Sequence, residues 1–258
     1  QKLNSTPNIE SPLFESSLSG KYNFGSITFT ADGKQAFYTK NQTNSKGIKQ
    51  LEIWSISRFD NIWGNPIKLF FNNPNFSYFH PAITSNGDRL YFVSDQPGGF
   101  GGTDIYYVNK KEDGTWDATT NAGSLINTAG NELFPTYYEG NLYFSSNGHE
   151  GLGGLDIFKL SNLKVENIGK PINSEKDDLG FSIRNGKGLF TSNRFGSDDI
   201  FSYSYNIFNV TIKGIVTVDG VKKSGTKVFL KSTDDNTKNS IFDSTTTNEN
   251  GIYSFIVK

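Results

Sequence analysis

The stretch HPAITSNGDRLYFVSDQPGGFGGTDIY, residues 80–106, decides the fold class of this chain. Asn86-Gly87 lies near its centre between alternating apolar residues, which is the strongest short-range signal of a β-hairpin because both turn residues must accept a positive φ angle. An aromatic strand follows the turn, then a glycine-rich loop, and then a third strand that begins at Asp104. The stretch therefore predicts three consecutive antiparallel strands.

The same arrangement recurs along the chain. The turn glycines are 54, 53 and 46 residues apart, and they are Gly33, Gly87, Gly140 and Gly186. The acids that open the third strands are 52, 52 and 43 residues apart, and they are Glu52, Asp104, Asp156 and Asp199. Fourth strands are predicted within residues 66–70, 123–126 and 165–171. Four-stranded units of about 40–55 residues that cannot bury both faces alone predict the blades of a β-propeller.

The fourth repeat has no fourth strand of its own, because the chain continues from Tyr205 into a different kind of sequence. Residues 11–14 (SPLF), near the start of the chain, resemble residues 169–172 (GKPI) of the third repeat. We therefore predict four blades, with an N-terminal strand within residues 11–17 closing the last one. Such closure removes two open sheet edges.

A second domain is predicted after the repeats. Apolar and polar residues alternate in four further segments, which are 210–218, 227–230, 240–244 and 253–257. This pattern predicts an all-β chain of two domains, a β-propeller over residues 1–206 and a small β-sandwich over residues 207–258. Because the last segment ends inside a strand, we expect the natural protein to continue.

Composition agrees with an all-β fold and excludes several functions. Aromatic residues make up 14% of the chain, with 22 Phe and 12 Tyr, and they favour pleated strands. A net charge of −1 gives no electrostatic basis for nucleic-acid binding. The chain has no Cys, so it has no disulfides or thiolate metal sites. It also has no run of 18 apolar residues, which is the pattern of a membrane-spanning helix. It also lacks Met and begins at Gln1, which indicates an exported protein after removal of a signal peptide.

The repeats resemble the Pro-Asp type propeller repeat of TolB, in the version carried by OmpA-family outer-membrane proteins of the Bacteroidota. The resemblance covers about residues 10–206. The stretches that carry it are HPAITSNG (80–87), LYFVSD (90–95), GGFGGTDIY (98–106), GHEGLGGLDIF (148–158), and Asn193-Arg194 before residues 198–200. Residues 210–258 resemble the carboxypeptidase-regulatory-like fold, through KGIV (213–216) and NGIYSF (250–255).

This resemblance implies a function. Such proteins usually continue into an OmpA-like domain that holds peptidoglycan, and relatives are accessory parts of outer-membrane machines, including the type IX secretion and gliding apparatus. We therefore expect a non-catalytic periplasmic scaffold associated with the outer membrane. Its expected partners are β-barrel or lipoprotein components of a larger complex, with peptidoglycan bound through a domain that is not in this chain.

The repeat acids Glu52, Asp104, Asp156 and Asp199 have two interpretations. They could serve catalysis or metal binding, or each could accept backbone N–H groups of its own loop. We favour the structural role, because a buried acid costs several kcal/mol unless it is paired, and equivalent acids lack the different environments of an acid–base pair. His80 and His149 are not in a metal-ligand spacing, and GxSxG, phosphate-loop and DxDxDG motifs are absent. We predict no catalytic residue, no metal and no cofactor.

Aromatic residues near turns are the candidates for protein contact. Trp63 and Trp116 are expected to pack between blades. Phe100, flanked by four glycines, and Phe195 are the predicted contact residues, because interface anchors are often aromatic. The alternative function is a carbohydrate-binding or carbohydrate-active propeller, or a peptide-cleaving one, although the Asp-box signature SxDxGxxW is absent.

Overall fold

The structure is a computed structural model that describes residues 24–43, 47, 49–60, 62–205, 210–231 and 241–257. Every helix or strand in these residues is a β-strand, so the predicted all-β class is confirmed. None of these residues forms a helix long and apolar enough to cross a membrane. The chain divides into two compact units, Gln1–Ser204 and Tyr205–Lys258.

The first unit contains four antiparallel sheets, which follow the four repeats in order. The first comprises β1 (Phe24–Phe29), β2 (Gln35–Thr43), β3 (Lys49–Phe59), β4 (Ile62–Trp63) and β5 (Ile67–Lys68). The second comprises β6 (Tyr78–Ile83), β7 (Arg89–Ser94), β8 (Asp104–Asn109) and β9 (Thr120–Asn121). The third comprises β10 (Glu132–Tyr138), β11 (Asn141–Ser146), β12 (Asp156–Ser161) and β13 (Lys164–Asn167). The fourth comprises β14 (Asp178–Arg184), β15 (Lys187–Ser192) and β16 (Asp199–Ser204).

These sheets are the four blades of a β-propeller, as predicted. Their first strands contact one another in chain order, β1 with β6, β6 with β10, and β10 with β14. The predicted closing strand within residues 11–17 lies outside the described residues. The predicted fourth strand at residues 123–126 is wrong, since β9 ends at Asn121 and Gly123 adopts a φ of 86° to begin a turn.

The third and fourth hairpin turns have the predicted backbone geometry, with both turn residues at positive φ, whereas in the first two turns only the glycine has a positive φ. Gly33 and Gly87 have φ angles of 65° and 74°. At the fourth turn both Asn185 and Gly186 have a positive φ, at 51° and 72°. Glycine adopts these φ angles without steric cost, which is why the turn glycine identified each corner.

Aromatic and branched side chains fill the spaces between blades. Phe37 and Ile53 of the first blade pack against Phe92 of the second, and Phe71 stacks on Phe92 with ring centroids 4.5 Å apart. The next two interfaces are built alike, around Ile105 with Phe144 and around Ile157 with Phe181. Trp116 follows β8 and meets Phe37 of the first blade at 5.8 Å, whereas Trp63 lies 6.3 Å from Phe29 of its own blade.

The second unit has three strand pairs. They are β17 (Val210–Ile215) with β22 (Ile252–Val257), β18 (Thr217–Val218) with β19 (Val221–Lys222), and β20 (Lys227–Lys231) with β21 (Ile241–Thr246). Thr247 is buried and joins two segments, because its hydroxyl donates to the Lys223 carbonyl and accepts from the Thr226 N–H, at 2.7 and 2.9 Å. The strands lie where the alternating segments predict them, and they form three two-stranded sheets, so the predicted β-sandwich arrangement stays a prediction.

Candidate functional site

Asp104 and Asp156 each hold the glycine-rich loop that precedes them. Oδ2 of Asp104 accepts hydrogen bonds from the N–H groups of Phe100 and Gly101, at 2.9 and 3.5 Å. Oδ2 of Asp156 accepts from Leu152 and Gly153, at 2.5 and 2.9 Å. Both carboxylates are buried, and Oδ1 of each has no hydrogen-bond partner among the described residues. Two acids with the same surroundings do not form an acid–base pair.

The other two repeat acids have different partners. Glu52 is buried and accepts from the Trp54 indole at 3.1 Å, and its second oxygen pairs with the Lys68 ammonium at 2.5 Å. The longer Glu side chain thus bonds within its own sheet rather than to a glycine loop. Asp199 accepts from the Ser197 hydroxyl at 3.4 Å. The shared loop-holding role predicted for the four acids therefore has direct support only at Asp104 and Asp156.

A second set of buried acids, not singled out from the sequence, opens the first strands of two blades. Glu132 accepts from the Thr128 N–H, the Thr128 hydroxyl and the Ser146 hydroxyl, at 2.9, 2.7 and 2.7 Å. Asp178 accepts from the Ser174 N–H and hydroxyl, at 2.6 and 2.8 Å. The shared pattern Asn-Thr/Ser-x-x-x-Glu/Asp, at residues 127–132 and 173–178, was the available signal.

A buried asparagine joins the crossover to the third strand in each of three blades. In the second blade, Asn127 accepts from the Ile105 N–H and donates to the Ile105 carbonyl, both at 2.8 Å. Asn173 bonds to Ile157 in the same way, at 2.9 and 2.8 Å, and Asn72 bonds to Ile53 at 2.9 and 2.7 Å. Each asparagine satisfies two backbone groups at the strand edge, which would otherwise be buried without partners.

Arg194 fastens the fourth blade to the third. Its guanidinium pairs with Asp178 at 2.6 Å and donates to the carbonyls of Pro171, at 3.0 Å, and of Ile172. The same group lies over the Phe190 and Phe201 rings, 5.1 and 4.9 Å from their centroids. The planar guanidinium thus satisfies several acceptors at once, as only arginine can.

The two histidines lie in separate structural positions. Nδ1 of His80 accepts from the Phe134 N–H at 3.2 Å, and the two rings stack with centroids 3.8 Å apart. Burial lowers the pKa of His80 to about 4, so its imidazole is neutral near pH 7. Nε2 of His149 bonds to the Ile126 carbonyl at 2.8 Å. In the part of the chain that the structure describes, no cluster of three acidic or histidine side chains could hold a metal ion.

A cavity of about 600 Å³ lies at one end of the inner strands, beside His80. Phe79, His80 and Phe134 supply its aromatic side. Gly25, Leu51 and five polar residues complete the lining, and the polar residues are Ser26, Thr39, Asn41, Lys49 and Gln50. The described lining contains no carboxylate, so this cavity offers hydrogen-bond donors and aromatic faces without an acidic pair.

The predicted contact residues are both exposed loop residues. Phe100 is 50% exposed and Phe195 is 72% exposed. Phe195 also approaches the Phe201 ring, with centroids 5.8 Å apart. Their position fits a contact role, which stays a prediction.

Comparison with known proteins leaves the function open. No protein-family model matches the chain, and no curated protein sequence matches it. A solved structure assigned as TolB, from Agrobacterium tumefaciens, is 12% identical with a TM-score of 0.45, over 92% of this chain and 90% of that one. A puromycin-hydrolysing peptidase of Mycobacterium tuberculosis is 14% identical with a TM-score of 0.48, over 71% of this chain and 30% of that one.

A thermostable family-43 glycoside hydrolase is similar to the same extent. It is 14% identical with a TM-score of 0.44, over 78% of this chain and 74% of that one. The chain spans less than a third of the length of the peptidase. At these identities none of the similarities assigns an activity to the chain.

Proposed function

We propose that this chain is a non-catalytic scaffold in the periplasm, associated with the outer membrane, whose propeller binds other proteins. One observation carries the proposal. The buried acids Asp104 and Asp156 hold rigid loops and form no reactive pair, while Phe100 on the first of these loops is exposed. Exposed aromatic residues on loops fixed by a rigid frame are typical of protein recognition.

The sequence resemblance supports the location and the partners. Its motifs resemble those of OmpA-family proteins of the Bacteroidota in three successive blades, and residues 213–216 and 250–255 resemble a carboxypeptidase-regulatory-like domain. On this basis the partners are β-barrel or lipoprotein components of a secretion or membrane-protein assembly machine. A continuation of the chain would bind peptidoglycan.

The test is affinity purification of the full-length protein from its native membrane in mild detergent, followed by mass spectrometry. We expect a β-barrel protein or a lipoprotein to be recovered in fixed proportion to the scaffold. Recovery of the protein alone, at native expression, would refute the proposal.

The second candidate is a carbohydrate-binding propeller, and the cavity beside His80 favours it. Aromatic faces with amide and hydroxyl donors suit sugar rings. Calorimetric titration of this 258-residue chain with peptidoglycan fragments separates the two functions, because the scaffold proposal places peptidoglycan binding outside the chain. Saturable binding that His80→Ala abolishes supports the sugar site, and absence of heat at millimolar ligand rejects it.

A further inference from the structure

Three exposed apolar side chains occupy one position of the repeat. Phe100, Leu152 and Phe195 each stand four residues before a repeat acid, and they are 50%, 45% and 72% exposed. The corresponding residue of the first repeat is Ile48, which lies outside the described residues. A solvent-exposed loop position that stays apolar in every repeat is unexpected for a surface that meets only water.

Two of the loops that carry these residues, those of Phe100 and Leu152, are fixed in place by their repeat acids. The N–H groups of Phe100 and Leu152 donate to the buried acids Asp104 and Asp156. A Cβ atom at Gly101 would lie 2.1 Å from the Gly130 carbonyl oxygen, so this loop packs directly on the crossover to the next blade. Because the loops are already ordered, binding through them loses little conformational entropy.

All three residues lie on one face of the propeller. Strand direction alternates within each blade, so the loops between second and third strands, 95–103, 147–155 and 193–198, emerge at the same end as the crossovers between blades. We call this end the loop face. It exposes a second apolar position, two residues before each buried asparagine, occupied by Phe70, Leu125 and Pro171.

Charge on the loop face is nearly balanced. Its exposed charged side chains, among the described residues, are four acids and three lysines, namely Asp95, Glu150, Glu175, Asp198, Lys49, Lys170 and Lys176. Anionic lipid headgroups and nucleic acids bind surfaces that carry an excess of positive charge, and the described residues of the loop face have no such excess. A protein with an uncharged apolar patch suits it better, since contact then depends on burial rather than steering.

We propose that the loop face is the partner-binding surface, and that it binds an apolar patch of a partner protein through Phe100, Leu152 and Phe195. The inference rests on the proposed scaffold function and adds to it the face, the residues and the chemistry of the partner. The opposite face also exposes apolar residues, Phe59 and Leu163, at 81% and 84%. These two residues each stand seven positions after a repeat acid, and in the second repeat that position is occupied by Lys111. The position is therefore not apolar in every repeat.

The experiment uses the full-length protein in its native host, with the photo-crosslinking residue p-benzoylphenylalanine placed singly at positions 100, 152 and 195. Positions 59 and 163 are the matched controls, because they are apolar and exposed on the other face. We expect one and the same protein adduct from the three loop-face positions and none from the controls. Adducts from the controls alone, or a dimer of this chain from the loop face, would overturn the inference.

A binding measurement on the purified crosslinked partner follows. We expect Phe100→Ser and Phe195→Ser each to raise Kd at least tenfold, and Phe59→Ser and Leu163→Ser to leave it unchanged. The Kd should change less than threefold between 50 and 500 mM NaCl, because no long-range charge attraction contributes. An unchanged Kd in the Phe100→Ser and Phe195→Ser variants contradicts the proposal. It is also contradicted if the unaltered protein binds phosphatidylglycerol vesicles and these variants do not, because that result would assign the loop face to a membrane.

The outcomes separate this inference from the proposed function. A complex that is purified intact but crosslinks only through positions 59 and 163 refutes the loop face and retains the scaffold. Absence of any partner, in both crosslinking and purification, refutes both.

Discussion

Replacing Arg194 with Ala should destabilise the propeller strongly, because it leaves the fully buried carboxylate of Asp178 without its cation. Asp178 is 0% exposed and loses an ion pair of 2.6 Å, while the carbonyls of Pro171 and Ile172 lose their donor. Removing one member of a buried ion pair costs about 3–5 kcal/mol. We therefore expect the free energy of unfolding to fall by about that amount.

Urea unfolding followed by tryptophan fluorescence measures this change. All three tryptophans, Trp54, Trp63 and Trp116, lie in the first unit, so the signal reports propeller unfolding alone. Lys164→Ala is the matched control, because the Lys164–Glu166 pair has a similar N···O distance of 2.7 Å but is solvent-exposed and should contribute less than about 1 kcal/mol. A loss below 1 kcal/mol for Arg194→Ala would refute the reasoning.

Three further predictions concern the loops and the inner strands. Asp104→Asn should lower the free energy of unfolding by about 1–3 kcal/mol, because a charged acceptor of loop N–H groups is lost, and an unchanged urea midpoint would contradict it. Gly101→Ala should cost about 1–3 kcal/mol through its clash with a backbone oxygen, whereas Gly64→Ala, whose Cβ would have a contact at 3.4 Å, should be nearly neutral in the same assay. Burial holds the pKa of His80 below its value in the unfolded chain. The contribution of the neutral His80 side chain to the free energy of unfolding is therefore present above about pH 6.5 and is lost as pH falls toward 4. His80→Gln should reduce the loss of stability between about pH 6.5 and 4. If the free energy of unfolding of the variant falls with pH as steeply as that of the unaltered protein, His80 is not the group responsible.

The blades were predictable because their signals are local. Asn86-Gly87 needs only its own backbone and the flanking alternation to specify a hairpin, and an acid equivalent to Asp104 follows each turn glycine by 13 to 19 residues. Four such units allow only a closed or curved stack of sheets, because each blade needs a neighbour to cover its aromatic face. The all-β class and the blade count followed from that periodicity.

The buried polar contacts were not predictable in the same way, because they join distant residues. Asn127 forms hydrogen bonds with Ile105, which is 22 residues away, and Arg194 pairs with Asp178, which is 16 residues away. Leu152 is not predictable as a contact residue from its sequence alone, because it lacks the aromatic ring typical of interface anchors. Its equivalence to Phe100 lies in the structure, where the N–H group of each residue donates to the acid four positions later.

The central claim, that the loop face holds this protein in a larger complex, is tested most directly by quantitative co-purification from native membranes. The full-length protein would carry either Phe100→Ser with Phe195→Ser, or the control pair Phe59→Ser with Leu163→Ser. All four residues are exposed, so both variants should keep the melting temperature of the unaltered protein. We predict that the first variant loses at least nine-tenths of its partner and the second loses none. Equal recovery of the partner by both variants would contradict the claim.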